Sequence, residues 1–127
     1  MILVDTSSWI HMLRLSGDPS ARARVEAALI SGQARWCPPI QLELWNGARG
    51  NREKRVLREF ARALPELPID DAVWKRAYDL ARRARERGVT VPAIDVMIAA
   101  CALRHGAALE STDADFELLA SVGDPAD

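Results

Sequence analysis

Asp5 closes the apolar run Met1-Ile2-Leu3-Val4 and is followed at once by three hydroxyls, Thr6, Ser7 and Ser8. That pattern presents a carboxylate at the tip of a strand. Acids recur in comparable settings: Glu43 within Ile40-Gln41-Leu42-Glu43-Leu44, Asp95 within Pro92-Ala93-Ile94-Asp95-Val96-Met97-Ile98, and Asp113 and Asp115 just after Ala107-Ala108-Leu109. Each lies where an apolar element begins or ends. A buried, unpaired carboxylate is costly, so a chain that converges several of them must supply a compensating cation. Hard oxygen donors suit Mg²⁺ or Mn²⁺, and a divalent-metal site is the chemistry this set points to. Each acid also has a plainer use. Asp5 could cap a helix beginning near Ser8, Asp95 could be a first-turn acid favoured by the helix dipole, Glu43 could pair with Arg49 or Arg52, and Asp113 or Asp115 could cap a helix at Phe116.

The elements that would position these acids alternate between short strands and helices. Residues 2–5 read as a strand and 8–15 as a helix with Trp9, Met12 and Leu13 on one side, a face for core packing or for a partner. The break Gly17-Asp18-Pro19-Ser20 supplies a cap for a helix over 20–31 that Gly32 ends. Residues 34–37 form a second strand stopped by Pro38-Pro39, and 40–48 a helix carrying Glu43. A helix over 52–64, a short extended segment over 65–69 and a helix over 71–87 capped by Asp70 or Asp71 follow. Pro92 opens a helix to Arg104 with His105-Gly106 as its exit, residues 107–110 form the last strand, and 116–122 a short apolar segment. Strands separated by helices imply an α/β fold, a parallel sheet with helices on both faces. Sites in such sheets lie beyond the carboxyl ends of the strands, where Asp5 and Asp113 fall.

The 127 residues, 49% hydrophobic, fit one domain over 1–122 with a frayed tail at 123–127. No positive-then-apolar signal segment is present, since Asp5 interrupts the run Ile2 to Val4, and no run is of membrane length, so a cytoplasmic protein without a membrane role is expected. Cys37 and Cys101 have neither Cys-x-x-Cys nor Cys/His spacing and read as buried free thiols. A net charge of -1 hides an asymmetry: residues 49–62 and 75–87 hold twelve of the seventeen basic side chains. Either run alone would be a solvated helix face. Around an acidic centre they would make a basic rim for nucleic-acid phosphates. His11 and His105 offer a metal-free route through the RNA 2′-hydroxyl, but a surface role suits His11, and His105 suits a helix exit. Among Trp9, Trp36, Trp45 and Trp74, core packing or a dimer surface is the expectation for most, with Trp45 best placed to meet a base.

Asp5-Thr6-Ser7 after an apolar strand, Glu43-Leu44 followed by Gly47, Asp95-x-x-Ile98-Ala99-Ala100-x-Ala102 and Ser111-x-Asp113-x-Asp115-Phe116, in that order, resemble a PIN-domain ribonuclease. The chain length resembles the VapC toxins of bacterial toxin–antitoxin pairs. The resemblance covers Ile2 to about Leu119. It implies a three-layer PIN-like fold and a Mg²⁺- or Mn²⁺-dependent endoribonuclease that cleaves cellular RNA, forms a homodimer and is neutralised by a cognate VapB-like antitoxin. Carried over by position, Asp5, Glu43, Asp95 and Asp113 match the four acidic metal-site residues, and Asp115 a further acid of variable role. Ser7 and Ser111 match supporting hydroxyls, Ser111 standing where the family usually has threonine. A phosphoacceptor domain would need adjacent acids at the first strand and a lysine near the last, whereas the only lysines are Lys54 and Lys75. The remaining alternative is a catalytically inactive α/β module that holds a partner protein.

Overall fold

The computed structural model of the chain describes residues 1–123; the rest of the expected tail, 124–127, lies outside them. Strands β1 (Ile2–Val4), β2 (Ala34–Arg35) and β3 (Ala108–Glu110) form a parallel sheet in the order β2-β1-β3. Ile2 lies opposite both Ala34 and Ala108, and Val4 opposite Glu110. The chain passes from β1 to β2 through α1 (Thr6–Leu13) and α2 (Pro19–Ile30), then returns past β1 to β3 through α3 (Pro38–Asn46), α4 (Gly50–Ala63), α5 (Asp71–Glu86) and α6 (Ala93–His105). Helix α7 (Asp115–Val122) follows β3. The reversal of direction opens a crevice at the carboxyl ends of β1 and β3, where parallel sheets bind ligands.

The central strand is apolar because both of its faces are covered: Leu3 and Val4 are completely buried. On β3, successive side chains point to opposite faces. Leu109 lines a cavity with Ala102, Phe116 and Leu119 of α6 and α7, whereas Glu110 reaches Ser8 of α1 and Arg24 of α2. Helix α1 starts at Thr6, two residues earlier than expected, because the Asp5 carboxylate accepts the Ser7 N–H and caps it. Asp18 and Asp70 cap α2 and α5 in the same way, by bonds of 2.8 and 2.9 Å. Pro38 and Pro39 lie inside the first turn of α3, where a missing N–H costs nothing. Strand β2 is correspondingly short, and Trp36 instead makes a parallel bridge to Glu66 in the expected extended segment.

Trp9, Met12 and Leu13 face the core: Trp9 is fully buried, Leu13 is nearly so, and Met12 packs against the same cluster. This apolar face of α1 is not open to a partner. The Phe60 ring of α4 lies 5.0 Å from Trp9 and 6.2 Å from Trp36, edge-on to the latter, and so ties α4 to the sheet. Helix α5 turns Val73, Ala77, Leu80 and Ala84 inward at helical spacing and packs along α6, and both meet α7. Cys37 and Cys101 are buried and free, as their setting implied. No helix among the described residues is long and apolar enough to cross a membrane.

The turn between α1 and α2 folds back over the end of α1. There the Asp18 N–H donates to His11 Nδ1 at 2.9 Å, and the Gly17 N–H donates to the Arg14 carbonyl at 3.0 Å. His11 is thereby part of the turn and not of the acidic site. A Cβ at Gly17 would overlap the His11 carbonyl. Gly17→Ala is expected to destabilise the protein by about 1–3 kcal/mol, the usual cost of forced overpacking, measured by urea unfolding.

Candidate metal centre

Asp5 sits one residue past the end of β1, in the crevice, and is 4% exposed. Its Oδ2 accepts three hydrogen bonds: the Ser7 N–H at 3.3 Å, the Ser7 hydroxyl at 2.9 Å and the Ser111 hydroxyl at 3.0 Å. Oδ1 has no donor among the described residues, and so stays available to a ligand. The Ser111 Oγ in turn accepts the Asp113 N–H at 2.9 Å, and the Ser7 Oγ accepts the Thr112 N–H at 3.1 Å. The Ser111–Asp5 and Thr112–Ser7 bonds join residues more than a hundred positions apart, fastening the turn after β3 to the start of α1. The hydroxyls at 7 and 111 therefore orient one acid and hold the loop that carries the next.

Asp113 uses its Oδ1 to accept the Asp115 N–H at 2.9 Å, which starts α7. Asp113 thus holds the turn that precedes α7 with one oxygen and keeps the other outside that bond, while the Asp115 carboxylate shares a hydrogen bond with Asp95. Asp95 stands in the first turn of α6 and is 8% exposed. One carboxylate oxygen from each of Asp95, Asp113 and Asp115 lies within 4.8 Å of the others. Asp115, which the resemblance matches to an acid of variable role, is one of these three. Glu43, half-buried on α3, accepts the Thr6 hydroxyl at 2.7 Å, so it leans toward the α1 start, and among the described residues it pairs with neither Arg49 nor Arg52.

The charge balance at Asp95 shows which effect wins. Its place in the first turn of a helix favours the anion. Burial, a side-chain hydrogen bond with Asp115 and the negative charges of Asp113, Asp5 and Asp115 all oppose ionisation, and together they push its pKa up to about 7. Three oxygens of hard, anionic donors within 4.8 Å are a fitting donor set for a divalent cation.

Two residues of this neighbourhood escaped the sequence reading. Thr6 reads from the sequence only as one of three hydroxyls, with no partner marked. Glu110 reads as the end of a strand, although it closes an apolar run as Asp5 does, and that is the signal that points to it. The histidines fall outside the cluster: His105 Nε2 lies 2.8 Å from the Pro68 carbonyl, tying the end of α6 to the segment before α5. Of the tryptophans, Trp9 and Trp36 are buried, whereas Trp45, two residues after Glu43, is 40% exposed.

The PIN domain family matches residues 2–122. The chain belongs to the PIN-domain family. It is 39% identical over 126 residues to Ribonuclease VapC11 of Mycobacterium tuberculosis, an alignment spanning 96% of this chain and 93% of that protein. Its fold is similar to the DNA-bound VapBC of Salmonella typhimurium (TM-score 0.76, 21% identity, 91% of this chain and 89% of that one). It is also similar to VapBC-1 of nontypeable Haemophilus influenzae (TM-score 0.74, 19% identity, all of both chains). The expected parallel sheet flanked by helices is therefore the fold observed.

The raised Asp95 value has a measurable consequence for stability. Because the folded-state value lies above the ordinary 3.8, the contribution linked to this group is fully present below about pH 3.8. It is lost as pH rises through about 7. Melting of EDTA-treated protein across this range should show a fall in Tm from this source with rising pH, and Asp95→Asn should flatten it. An unchanged slope in the variant would remove Asp95 as its origin.

Proposed function

We propose that this chain is a Mg²⁺- or Mn²⁺-dependent endoribonuclease of the VapC toxin type, acting on cellular RNA in the cytoplasm. In this reading a cognate VapB-like antitoxin neutralises a homodimer of the chain. Asp5, Glu43, Asp95 and Asp113 hold the metal with Asp115, and Ser7 and Ser111 support them. The observation that carries this reading is the convergence of Asp95, Asp113 and Asp115 to within 4.8 Å at the carboxyl end of a parallel sheet. Two further lines support it: the ribonuclease name of the VapC11 relative, and the solved VapBC assemblies that share the fold.

When bound, a divalent ion supplies positive charge for the scissile phosphate and acidifies a nearby water. The chain does the rest. Asp113 and Asp115 supply two anionic oxygens from a single turn, and Asp95 a third from α6. Asp5 is fixed by its two serines, and Glu43 is steered by Thr6. Asp95 must release its proton for the cation to bind fully, which makes affinity rise with pH through about 7. Basic side chains of α4 and α5 are suited to hold RNA phosphates. Exposed Trp45, close in sequence to Glu43, offers a face on which an unpaired base can stack.

Cleavage of total bacterial RNA by purified, antitoxin-free protein tests this. With Mg²⁺ or Mn²⁺, discrete fragments are expected. EDTA should abolish them, and Asp5→Asn and Asp95→Asn should each lower the rate by about a hundredfold or more, as expected for loss of a charge acting in the transition state. Folded protein that cuts no RNA with either metal would favour the inactive partner-holding module.

A further inference from the structure

Glu110 is the last residue of β3, opposite Val4 and directly before Ser111. Its side chain is only 13% exposed, yet it lies on a sheet face where an apolar residue would ordinarily pack. Both carboxylate oxygens are engaged. Oε2 accepts the hydroxyl of Ser8, a fully buried residue of α1, at 2.8 Å. Oε1 accepts the Arg24 Nε–H at 2.6 Å, and the same guanidinium donates to Ser20 of α2 at 2.9 Å. The Glu110 carbonyl accepts the Asp5 N–H at 2.9 Å. One residue thus joins β3, α1 and α2, and holds by its backbone and its side chain the two segments that present Asp5 and the Ser111–Asp115 turn.

An ion pair whose Arg24 partner is half exposed contributes little to stability. What it supplies that apolar packing cannot is a directional tie. We propose that Glu110 is a positioning residue, whose clasp on Ser8 and Arg24 sets the spacing between Asp5 and the acids of the Ser111–Asp115 turn. The tie acts through Ser111, the next residue, whose hydroxyl bridges Asp5 and the Asp113 amide. For its catalytic consequence this inference rests on the nuclease reading, but the positional consequence stands without it.

Glu110→Met keeps the volume and removes both acceptors, and Glu110→Gln keeps the length and one acceptor for Ser8. In Glu110→Met, Tm should fall modestly because the buried Ser8 hydroxyl loses its acceptor, while Mn²⁺ affinity, by titration calorimetry, and kcat each fall about tenfold or more, with KM for RNA little changed. Glu110→Gln should recover most of that loss. In metal-free protein, amide exchange at Ser111 to Asp115 should quicken about tenfold or more in Glu110→Met, with Leu3 and Ile98 unmoved. Parent-like exchange and Mn²⁺ affinity in the Met variant would overturn the proposal, as would losses in the Gln variant that follow its fall in Tm. If Glu110→Met does not fold, Arg24→Met, which removes the half-exposed partner of the same clasp, decides: faster exchange in the turn supports the proposal, and unchanged exchange rejects it. If the parent neither binds Mn²⁺ nor cuts RNA, the nuclease reading fails by itself, and the exchange measurement still decides the positional role.

Discussion

Carboxylates whose oxygens lie within 4.8 Å of one another repel, and much of the architecture around Asp95, Asp113 and Asp115 serves to keep them together. The restraint comes from three directions. Asp95 is carried by α6, which α5 and α7 pin from the side. Asp113 and Asp115 share one tight turn, closed by the Asp113 side chain on the Asp115 amide. The Ser7–Ser111 hydroxyls anchor that turn to Asp5 and so to the central strand. The cost of this crowding is visible in the raised pKa of Asp95, where burial and like charge overcome the favourable end of the helix.

The fold makes the arrangement possible by bringing chain ends together. In a β2-β1-β3 sheet the first and last strands are neighbours, so Asp5 and Ser111 meet although nearly the whole chain separates them. Parallel strands align their carboxyl ends, and both segments therefore emerge on the same side. Hydroxyls then do what a second set of charges would do less well: they donate to a carboxylate without neutralising it, leaving the pocket negative. The Thr6–Glu43 bond extends the same device to α3.

Much of the framework was legible because it is local. Period-three and period-four apolar spacing marked α5 and its buried face, and Asp18, Asp70 and the prolines marked helix starts. The departures are also instructive. Helix α1 begins at Thr6 because Asp5, read as either ligand or cap, in fact caps the helix with one oxygen and keeps the other apart from that bond. Trp9, Met12 and Leu13 gave no sign of whether core or partner would cover them, since an amphipathic stripe is the same in either case. The contacts with Phe60 and the sheet settle it.

For the acids, the sequence by itself singled out Asp5, Glu43, Asp95, Asp113 and Asp115 as candidates from their places at the ends of apolar elements, with plainer uses left open, and the resemblance is what grouped them as one metal site. Spacing along the chain could not determine how they group, because it carries no information on distance across a sheet. Tertiary structure decided that Asp115 stands with Asp95 and Asp113, that Glu43 is turned by Thr6, and that Glu110 spends its charge on Ser8 and Arg24. Each of those outcomes depends on a contact between elements far apart in sequence. Such contacts exist only once the parallel sheet has set its strand order and the helices have closed over its faces.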